Sequence, residues 1–311
     1  MNEPVREIAM EDLPKIRNLL GKIFPDRKYK DIQRLGGMTN HSYKITRYDG
    51  NEYLVRIPGV GTETLINRSD ERKSAQLACK LGIDAKLLFF GDDGTKIMEF
   101  IPNPQPMNGQ VLSQKENMRQ VAHIFRKLHT CGEDTDVPFD IFEMAKRYER
   151  IIRENNVRLY ADYDKVKQTV ADIKTVTNSA GIAPKVPCHN DPLIDNWVMD
   201  RKGTLYLIDW EYSGMNEAMW DLSCFSIEVD YSPENDKNLL SLYFHREETI
   251  EEKTRFIATK LYVDYLWTLW GLTRVPYDHD FMQEYADMRY ARLKKNIHAY
   301  ETIRHISCSA K

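Results

Sequence analysis

The chain has 311 residues, 42% of them hydrophobic, and a formal net charge of -3 at pH 7. This length is enough for one large domain or two lobes with a hydrophobic core. The small net charge gives no broad basic surface, which excludes nucleic acid or an anionic membrane as the expected partner. The sequence has neither a long apolar stretch nor the apolar N-terminal segment of a signal peptide. We therefore expect a cytoplasmic protein with no membrane insertion.

The first hundred residues predict a small β-sheet with helices packed against it. An amphipathic helix is expected over residues 10–23, and residues 66–82 follow a second helical pattern that ends at Gly82. Strands bounded by turns are expected within residues 31–45, 52–59, 85–91 and 95–100. Three prolines in residues 101–106 cannot continue these elements, so we place a lobe boundary near residue 100.

Beyond residue 100 the apolar periodicity becomes helical. Helices are predicted over residues 115–130, 141–158, 163–180, 216–230, 248–272 and 279–303. A hairpin with strands 197–200 and 204–209 is predicted between two of them. The sequence therefore predicts an α+β fold with two lobes: a β-rich N-terminal lobe, residues 1–100, with an antiparallel sheet, and a mainly α-helical C-terminal lobe, residues 101–311.

The predicted hairpin is flanked by residues suited to phosphoryl transfer. Residues 189–196, HNDPLIDN, have the form H-x-D-x-x-x-x-N, and the second strand ends at Asp209. This reaction needs an acceptor for the proton of the incoming hydroxyl and oxygen ligands for the magnesium that bridges the phosphates of ATP. Asp191, Asn196 and Asp209 supply these groups. The alternative is that Asp191 and Asn196 only form a turn and Asp209 only caps a strand.

A glycine-bearing turn lies in the N-terminal lobe, within LGGMTNHSY, residues 35–43. Because Gly36 and Gly37 lack Cβ atoms, backbone N–H groups there can approach phosphates, although an ordinary hairpin turn has the same composition. Arg56 follows on a predicted strand, where its guanidinium can bind phosphate oxygens. Glu71 on the next helix is its candidate ion-pair partner. An ordinary surface arginine and glutamate also fit this pattern.

The order of these motifs resembles the choline/ethanolamine kinase family, in particular its bacterial choline kinases. The resemblance covers residues 30–303 through LGGMTNHSY, LVRIPG, INRSDE, MEF, CHNDPLIDNWV, LYLIDWEYSGMNEAMWDL and WTLW. It implies the protein-kinase-like fold that this family shares with aminoglycoside phosphotransferases. It also implies ATP and Mg²⁺ as cofactors, Asp191 as catalytic base, and Asn196 and Asp209 as metal ligands. The nucleotide-binding residues that it implies are Gly37, Thr39, Asn40, Arg56, Glu71 and the adenine-holding hinge Glu99, Phe100 and Ile101.

Two tryptophans bear on the substrate. Trp267 and Trp270 are three residues apart and are expected on one face of a helix. From periodicity alone, a stripe of core residues is the favoured interpretation. A quaternary ammonium, however, is bound by aromatic faces and nearby negative charge, because it cannot donate hydrogen bonds. The family resemblance favours this interpretation and implies choline as the substrate. The substrate-binding residues that it implies are Glu211, Tyr212, Asp221, Glu228, Trp267, Trp270 and Tyr290.

Other functions stay open at this point. The acceptor alcohol could be ethanolamine, thiamine or an aminoglycoside instead of choline. A catalytically silent nucleotide or choline binder is disfavoured because Asp191, Asn196 and Asp209 are all present. His189 is expected to order the loop rather than to act as the base. Asp195 adds a further acid where the family often has a small residue.

Overall fold

The computed structural model describes residues 9, 11–24, 26, 28–35, 40–59, 61–62, 65–105, 107–179 and 181–309, with side chains through residue 304. No helix in these ranges is both long enough and apolar enough to cross a lipid bilayer. The chain divides into two compact units. The first unit comprises the described residues up to Met107 together with Asp195–Ser213, and the second comprises Asn108–Ile194 and the described residues from Gly214 onward.

The helices and strands are numbered in chain order. The helices are α1 Asp12–Ile23, α2 Arg68–Lys80, α3 Gly109–Leu112, α4 Lys115–His129, α5 Ile141–Glu154, α6 Tyr163–Ser179, α7 Met219–Glu228, α8 Pro233–Phe244, α9 Ile250–Arg274 and α10 His279–Ser309. The strands are β1 Asp31–Arg34, β2 His41–Thr46, β3 Glu52–Ile57, β4 Leu87–Phe90, β5 Lys96–Glu99, β6 Lys185–Cys188, β7 Trp197–Met199, β8 Leu205–Leu207 and β9 Gly214–Glu217. This is the α+β fold that the sequence predicts.

The first unit is built on a five-stranded antiparallel sheet in the order β1-β2-β3-β5-β4. Side chains alternate between the two faces of a strand, so one face of β2, β3 and β5 is apolar. It contributes Tyr43, Ile45, Val55, Ile57 and Ile97 to a core that also contains Ile16, Leu19 and Leu20 of α1. The opposite face carries Arg56 of β3 and Lys96 of β5, which are paired in register. Two cations therefore lie side by side on that face.

Helix α2 supplies the carboxylate that these cations require. Asn67 caps its N-terminus by accepting a hydrogen bond from the Ser69 N–H, which satisfies one of the free amides of the first turn. Glu71 follows in that turn and is buried. The chain leaves the helix through Gly82, whose φ of +62° favours glycine, as the sequence predicts.

The second unit is mainly helical, and its longest buried segment belongs to α9. A capping box between Thr249 and Glu252 fixes the start of this helix. Every residue from Leu261 to Arg274 is buried, so the helix is covered on all sides along this stretch. Helices α5, α6, α7 and α10 pack against it. Side chains that project from this stretch of α9 are consequently held in fixed positions.

The observed fold differs from the sequence-based expectation in the following features. Helix α8 was not predicted, and neither was the two-stranded ribbon of β6 and β9, whose strands are short and distant in sequence. The predicted helix 216–230 begins only at Met219 because residues 214–217 pair with β6. The hairpin of β7 and β8 belongs to the first compact unit, so the compact units do not coincide with the expected lobes 1–100 and 101–311.

Candidate active site

A buried ion-pair network occupies the polar face of the first unit. Arg56 is 3% exposed and contacts three carboxylates: Glu71 at 3.1 Å, Asp209 at 2.6 Å and Glu211 at 2.5 Å. Arg68 binds Glu71 at 2.6 Å and Glu211 at 3.3 Å. These pairings satisfy charges that would be costly to bury alone. The predicted pairing of Arg56 with Glu71 is present, and Arg56 is not an ordinary surface residue.

The charges in this network alter the pKa values of its members. Burial raises the pKa of Glu211 above its usual value, and the neighbouring charge of Asp209 adds to that effect. Burial also opposes ionisation of Glu71, but the charges of Arg56 and Lys96 outweigh it and lower the pKa of Glu71. The pKa of Arg56 is raised because its three carboxylate partners outweigh its desolvation. Arg56 and Glu71 therefore stay charged in the folded protein.

The carboxylates of this network could hold a divalent cation. One oxygen each of Glu71, Asp209 and Glu211 lies within 4.8 Å of the others. Asp209 follows β8 with a φ of +69°, a left-handed conformation that turns its side chain out of the strand direction. Asn196 is buried in the same unit. Its backbone carbonyl accepts a hydrogen bond from the N–H of Ile208, the residue before Asp209. Carboxylate and amide oxygens are the ligands that Mg²⁺ prefers, so this donor set fits that ion.

A cavity of about 240 Å³ adjoins the network within the first unit. Its charged end is lined by Arg56, Lys96 and Asp209. Its apolar walls are formed by Leu35, Leu54, Met98, Val198 and Ile208. The predicted hinge residues Glu99, Phe100 and Ile101 also line it. An apolar slot that ends in charged groups suits a ligand with a flat base and a polyanionic tail.

The hinge has fewer free donors than the sequence suggests. The Glu99 N–H donates to the Lys86 carbonyl at 2.9 Å, and the Phe100 N–H donates to the Glu52 carbonyl at 3.0 Å. No backbone carbonyl of the described residues accepts a hydrogen bond from the N–H of Ile101. Of the three predicted hinge residues, Ile101 is thus the one with a backbone donor available for a base.

Two buried charged residues of the cavity were not predicted from sequence. Lys96 is 2% exposed, and its ammonium lies 3.5 Å from Glu71. Burial raises the pKa of Asp84 to about 7, although Lys96 and the hydrogen bonds from the Ala85 N–H and the Trp210 indole lower it in part. The available signal for Lys96 was a lysine directly before the apolar pair Ile97 and Met98 in the strand KIME. Asp84 lies in a connection and offers no comparable pattern.

The second unit positions the loop that contains Asp191. Asp221 of α7 is fully buried and accepts hydrogen bonds from the backbone N–H groups of His189 and Asn190, both at 2.7 Å. His129 of α4 lies 3.0 Å from the same carboxylate. Asp221 therefore fixes the backbone of the loop directly before Asp191. This position does not fit the substrate contact that the family resemblance implies for Asp221, because its oxygens are already used inside the protein.

The loop backbone is strained in one place and stabilised around it. Asn190 has a φ of +68°, and its carbonyl accepts a hydrogen bond from the Trp220 indole at 2.9 Å. Its side-chain oxygen accepts a further hydrogen bond from Asn216 at 2.9 Å. The Asp191 N–H donates to Nδ1 of His189 at 3.2 Å, which agrees with the expected loop-ordering role of His189. The half-buried side chain of Asp191 begins from a fixed backbone.

Three aromatic rings form a continuous cluster in the second unit. Trp267 and Trp270 meet edge to face with ring centroids 6.0 Å apart, and Tyr285 of α10 meets Trp270 at 5.8 Å. Gly271 permits this approach, since a Cβ there would lie only 2.8 Å from the Tyr285 ring. Tyr285 was not predicted. The glycine directly after Trp270, inside a long helix, was the signal that another side chain comes close.

Charged groups adjoin this aromatic cluster. Burial raises the pKa of the Tyr285 hydroxyl, the positive charge of Arg289 lowers it in part, and the negative charges of Glu228 and Asp191 raise it. Glu228 contacts Arg289 at 2.5 Å, and the Arg289 guanidinium lies 4.8 Å from the centre of the Tyr285 ring. Glu228, Arg289 and the aromatic rings therefore belong to one region of the second unit, and the charge of Asp191 acts on Tyr285 there.

The remaining predicted site residues have varied positions. Tyr290 stacks on Tyr160, with ring centroids 3.9 Å apart, and donates a hydrogen bond to Asp162. Its ring therefore packs against the segment before α6 and not against the tryptophans. Glu211 and Tyr212 belong to the first unit, where Glu211 contacts Arg56 and Arg68. Asn40 is also in the first unit, with its side chain 3.4 Å from Glu211. Gly37 and Thr39 lie outside the described residues, and Asp195 is exposed.

Comparison with known proteins agrees with this arrangement. The family model for choline/ethanolamine kinase matches residues 32–307. The crystal structure of a choline/ethanolamine kinase family protein from Mesorhizobium loti is 31% identical, with a TM-score of 0.81 over 95% of this chain and 98% of that one. The choline kinase LicA from Streptococcus pneumoniae is 29% identical, with a TM-score of 0.81 over 93% of this chain and 100% of that one. Ethanolamine kinase 2 of Mus musculus is 27% identical over 279 residues, which cover 80% of this chain and 71% of that protein.

Fold similarity extends beyond these relatives. The spectinomycin phosphotransferase APH(9)-Ia is 14% identical, with a TM-score of 0.61 over 95% of this chain and 99% of that one. The fold is therefore the kinase-like fold of small-molecule phosphotransferases. Within that class, the chain belongs to the choline/ethanolamine kinase family. It is accordingly a kinase that transfers a phosphoryl group to an alcohol, and the resemblance found in the sequence is confirmed.

The role of Asp221 can be tested by the substitution Asp221→Asn. The amide NH₂ must then face the backbone N–H of either His189 or Asn190, which replaces an attraction by a donor–donor contact. We expect a loss of about 2–4 kcal/mol in the free energy of unfolding and a lower kcat. Thermal denaturation and steady-state kinetics measure the two effects. Asp230→Asn is the control, because this exposed residue has a φ of +54° that asparagine tolerates. Equal stability of both variants would contradict the assignment.

Proposed function

We propose that the protein phosphorylates the hydroxyl of choline with ATP and releases phosphocholine and ADP. The observation that carries this proposal is the cluster of Trp267, Trp270 and Tyr285 beside Glu228 and within electrostatic reach of Asp191. Aromatic faces attract a quaternary ammonium, and the negative charge of Asp191 adds long-range attraction. The similarity to a choline kinase from Streptococcus pneumoniae supports the same substrate.

The first unit is proposed to bind the nucleotide. The base would lie in the cavity between Leu54 and Val198 and accept a hydrogen bond from the Ile101 N–H. Arg56 and Lys96 line the end of this cavity and supply the positive charge that phosphate oxygens require. To bind a phosphate, Arg56 must exchange at least one of its carboxylate contacts. Glu71 then keeps Arg68 and Lys96 as partners.

The metal-binding residues are proposed to be Asn196, Asp209 and Glu211. When bound, Mg²⁺ would neutralise charge on the phosphates of ATP. Including Glu211 changes its role from the substrate contact implied by the family resemblance. Its carboxylate lies beside Asp209 in the first unit, where the donor atoms converge.

Asp191 is proposed to accept the proton of the substrate hydroxyl. The hydroxyl oxygen forms the new bond to the γ-phosphorus, the bond from that phosphorus to the bridging oxygen of ADP breaks, and the proton passes to the carboxylate. The hydrogen-bonded loop holds Asp191 in a defined position for this transfer. His189 cannot use Nδ1 as a base without losing its hydrogen bond from the Asp191 N–H.

The acceptor is identified by measuring ADP release from Mg-ATP with a panel of choline, ethanolamine, thiamine and an aminoglycoside. Choline is expected to give the highest kcat/KM. Ethanolamine is the second candidate, because a mouse ethanolamine kinase is among the relatives. The absence of ADP release with every alcohol would support a silent binder and overturn the proposal.

Substitution of the proposed base separates chemistry from binding. Asp191→Asn is expected to lower kcat at least about a hundredfold, since it removes the proton acceptor, while nucleotide affinity stays within about twofold. Single-turnover kinetics and nucleotide titration measure these quantities. Asp195→Asn is the matched control, because Asp195 is an exposed acid four residues further along the same loop. An Asp191→Asn enzyme with wild-type turnover would exclude Asp191 as the base.

The role of Glu211 is tested by Glu211→Gln. If Glu211 binds the metal, the Mg²⁺ concentration at half-maximal rate should rise about tenfold, because one charged ligand becomes neutral. The KM for choline should change little. The opposite result, a raised choline KM with an unchanged Mg²⁺ requirement, would restore the substrate contact that the family resemblance implies. Glu116→Gln on the exposed surface of α4 serves as control.

The aromatic cluster is tested by Trp270→Ala and Tyr285→Ala. Each removes one aromatic face, so the KM for choline should rise about tenfold while kcat falls less. Tyr290→Phe keeps its ring stacked on Tyr160 and loses only the hydrogen bond to Asp162, so it should leave the choline KM nearly unchanged. If Tyr290→Phe raises this KM as much as Trp270→Ala, the substrate site includes Tyr290 instead.

A further inference from the structure

A buried arginine lies between the aromatic cluster and the core of the second unit. Arg289 of α10 is 1% exposed, and its guanidinium faces the Tyr285 ring at 4.8 Å. On one side it contacts Glu228 at 2.5 Å, and on the other it contacts Asp264 of α9 at 3.4 Å. A cation next to a site for cationic substrates opposes binding by simple charge repulsion. Its presence therefore calls for a specific role.

Neutralising Asp264 does not account for this arginine. Arg292 makes three contacts with the Asp264 carboxylate, at 2.8, 2.9 and 3.1 Å, and Asn296 donates to it at 3.2 Å. Asp264 therefore keeps a charged partner without Arg289. Glu228 is different, because the described residues give it no cationic partner other than Arg289. Arg289 therefore neutralises the charge of Glu228 and, through its contact with the ring, holds Tyr285 in place.

A primary ammonium, as in ethanolamine, and a quaternary ammonium, as in choline, interact differently with a carboxylate such as Glu228. A primary ammonium has three N–H donors and loses their hydrogen bonds to water when it is buried, so it needs carboxylate or carbonyl oxygens at contact distance. A quaternary ammonium has no donor, and its methyl groups keep a carboxylate further away. It depends on aromatic faces instead. A carboxylate that is already paired with an arginine thus disfavours the primary ammonium more strongly.

We propose that Arg289 is a specificity-determining residue that selects alkylated ammonium substrates by occupying the Glu228 carboxylate and fixing Tyr285 against Trp270. This inference rests on the proposed function, because it assumes that the aromatic cluster binds the ammonium group. Arg289 acts through Glu228 and Tyr285 and is not itself a catalytic residue. Pairing with Arg289 neutralises Glu228 and leaves the aromatic faces as the main attraction for the substrate.

The test compares Arg289→Met with the wild-type protein. The variant keeps a side chain of similar length, frees the Glu228 carboxylate and leaves Asp264 paired with Arg292. The ratio of kcat/KM for choline to that for ethanolamine is expected to fall about tenfold, mainly through a lower KM for ethanolamine, since Coulomb attraction grows at the shorter contact distance of a primary ammonium. A ratio within about twofold of wild type would overturn the proposal.

Two further variants separate specificity from stability. Arg292→Met removes the other arginine on Asp264 without touching Glu228, so it should lower thermal stability and leave the choline/ethanolamine ratio unchanged. If it shifts the ratio as much as Arg289→Met, the effect is structural and the proposal is wrong. Adding Glu228→Gln to Arg289→Met removes the freed charge and should restore the ratio to near that of the wild type.

A milder substitution tests the same role even if Arg289→Met does not fold. Arg289→Lys keeps the positive charge but has a shorter reach and a single ammonium, so it cannot hold Glu228 and Asp264 together. A shift of about threefold toward ethanolamine is expected, and no shift would contradict the proposal. A wild-type protein that phosphorylates neither alcohol would instead overturn the proposed function. The two failures are therefore distinguishable.

Discussion

The contact of Arg56 with three carboxylates is the interaction on which the first unit depends. Three cations, Arg56, Arg68 and Lys96, face three carboxylates, Glu71, Asp209 and Glu211, in a mostly buried network. Removing one member leaves a buried charge without compensation, which costs far more than the loss of a surface ion pair. The network also joins strand β3, helix α2 and the segment after β8. The position of Asp209 thus follows from the position of Arg56.

Redundancy among the cations lets this network change partners. Glu71 has three cationic neighbours, so it stays compensated when Arg56 turns toward a phosphate. A divalent cation could then replace Arg56 as the partner of Asp209 and Glu211. The second unit uses a fixed arrangement instead: the Asp221 carboxylate accepts hydrogen bonds from two backbone N–H groups of the loop that contains Asp191 and lies beside the buried His129. Ion pairs that can exchange partners lie at the proposed nucleotide site, and fixed hydrogen bonds support the proposed base.

The sequence predicted the parts of this protein that depend on local patterns. Helical periodicity located α4, α5, α6, α9 and α10. The residues around Asp191 and Asp209 indicated a phosphotransferase, and the order of motifs along the whole chain identified the family. Residues whose roles depend on tertiary packing were harder to predict. Glu211 was placed with the substrate because the family pattern gives order along the chain, whereas the structure shows it beside Arg56. Tyr285 and Lys96 were missed because each acquires its role from a neighbouring element that sequence spacing does not identify.

The two interpretations of Trp267 and Trp270 are compatible in the structure. Both are nearly buried, at 2% and 8% exposure, as a core stripe requires. A rigid ammonium site also requires buried rings, because a ring that is free to rotate loses conformational entropy when it binds. Periodicity therefore cannot separate a core from such a site. The distinguishing feature is the charge that accompanies the rings. An apolar core does not need Glu228 and Arg289 at its edge, because removing that pair from water costs free energy. Recognition of an ammonium group would account for that cost.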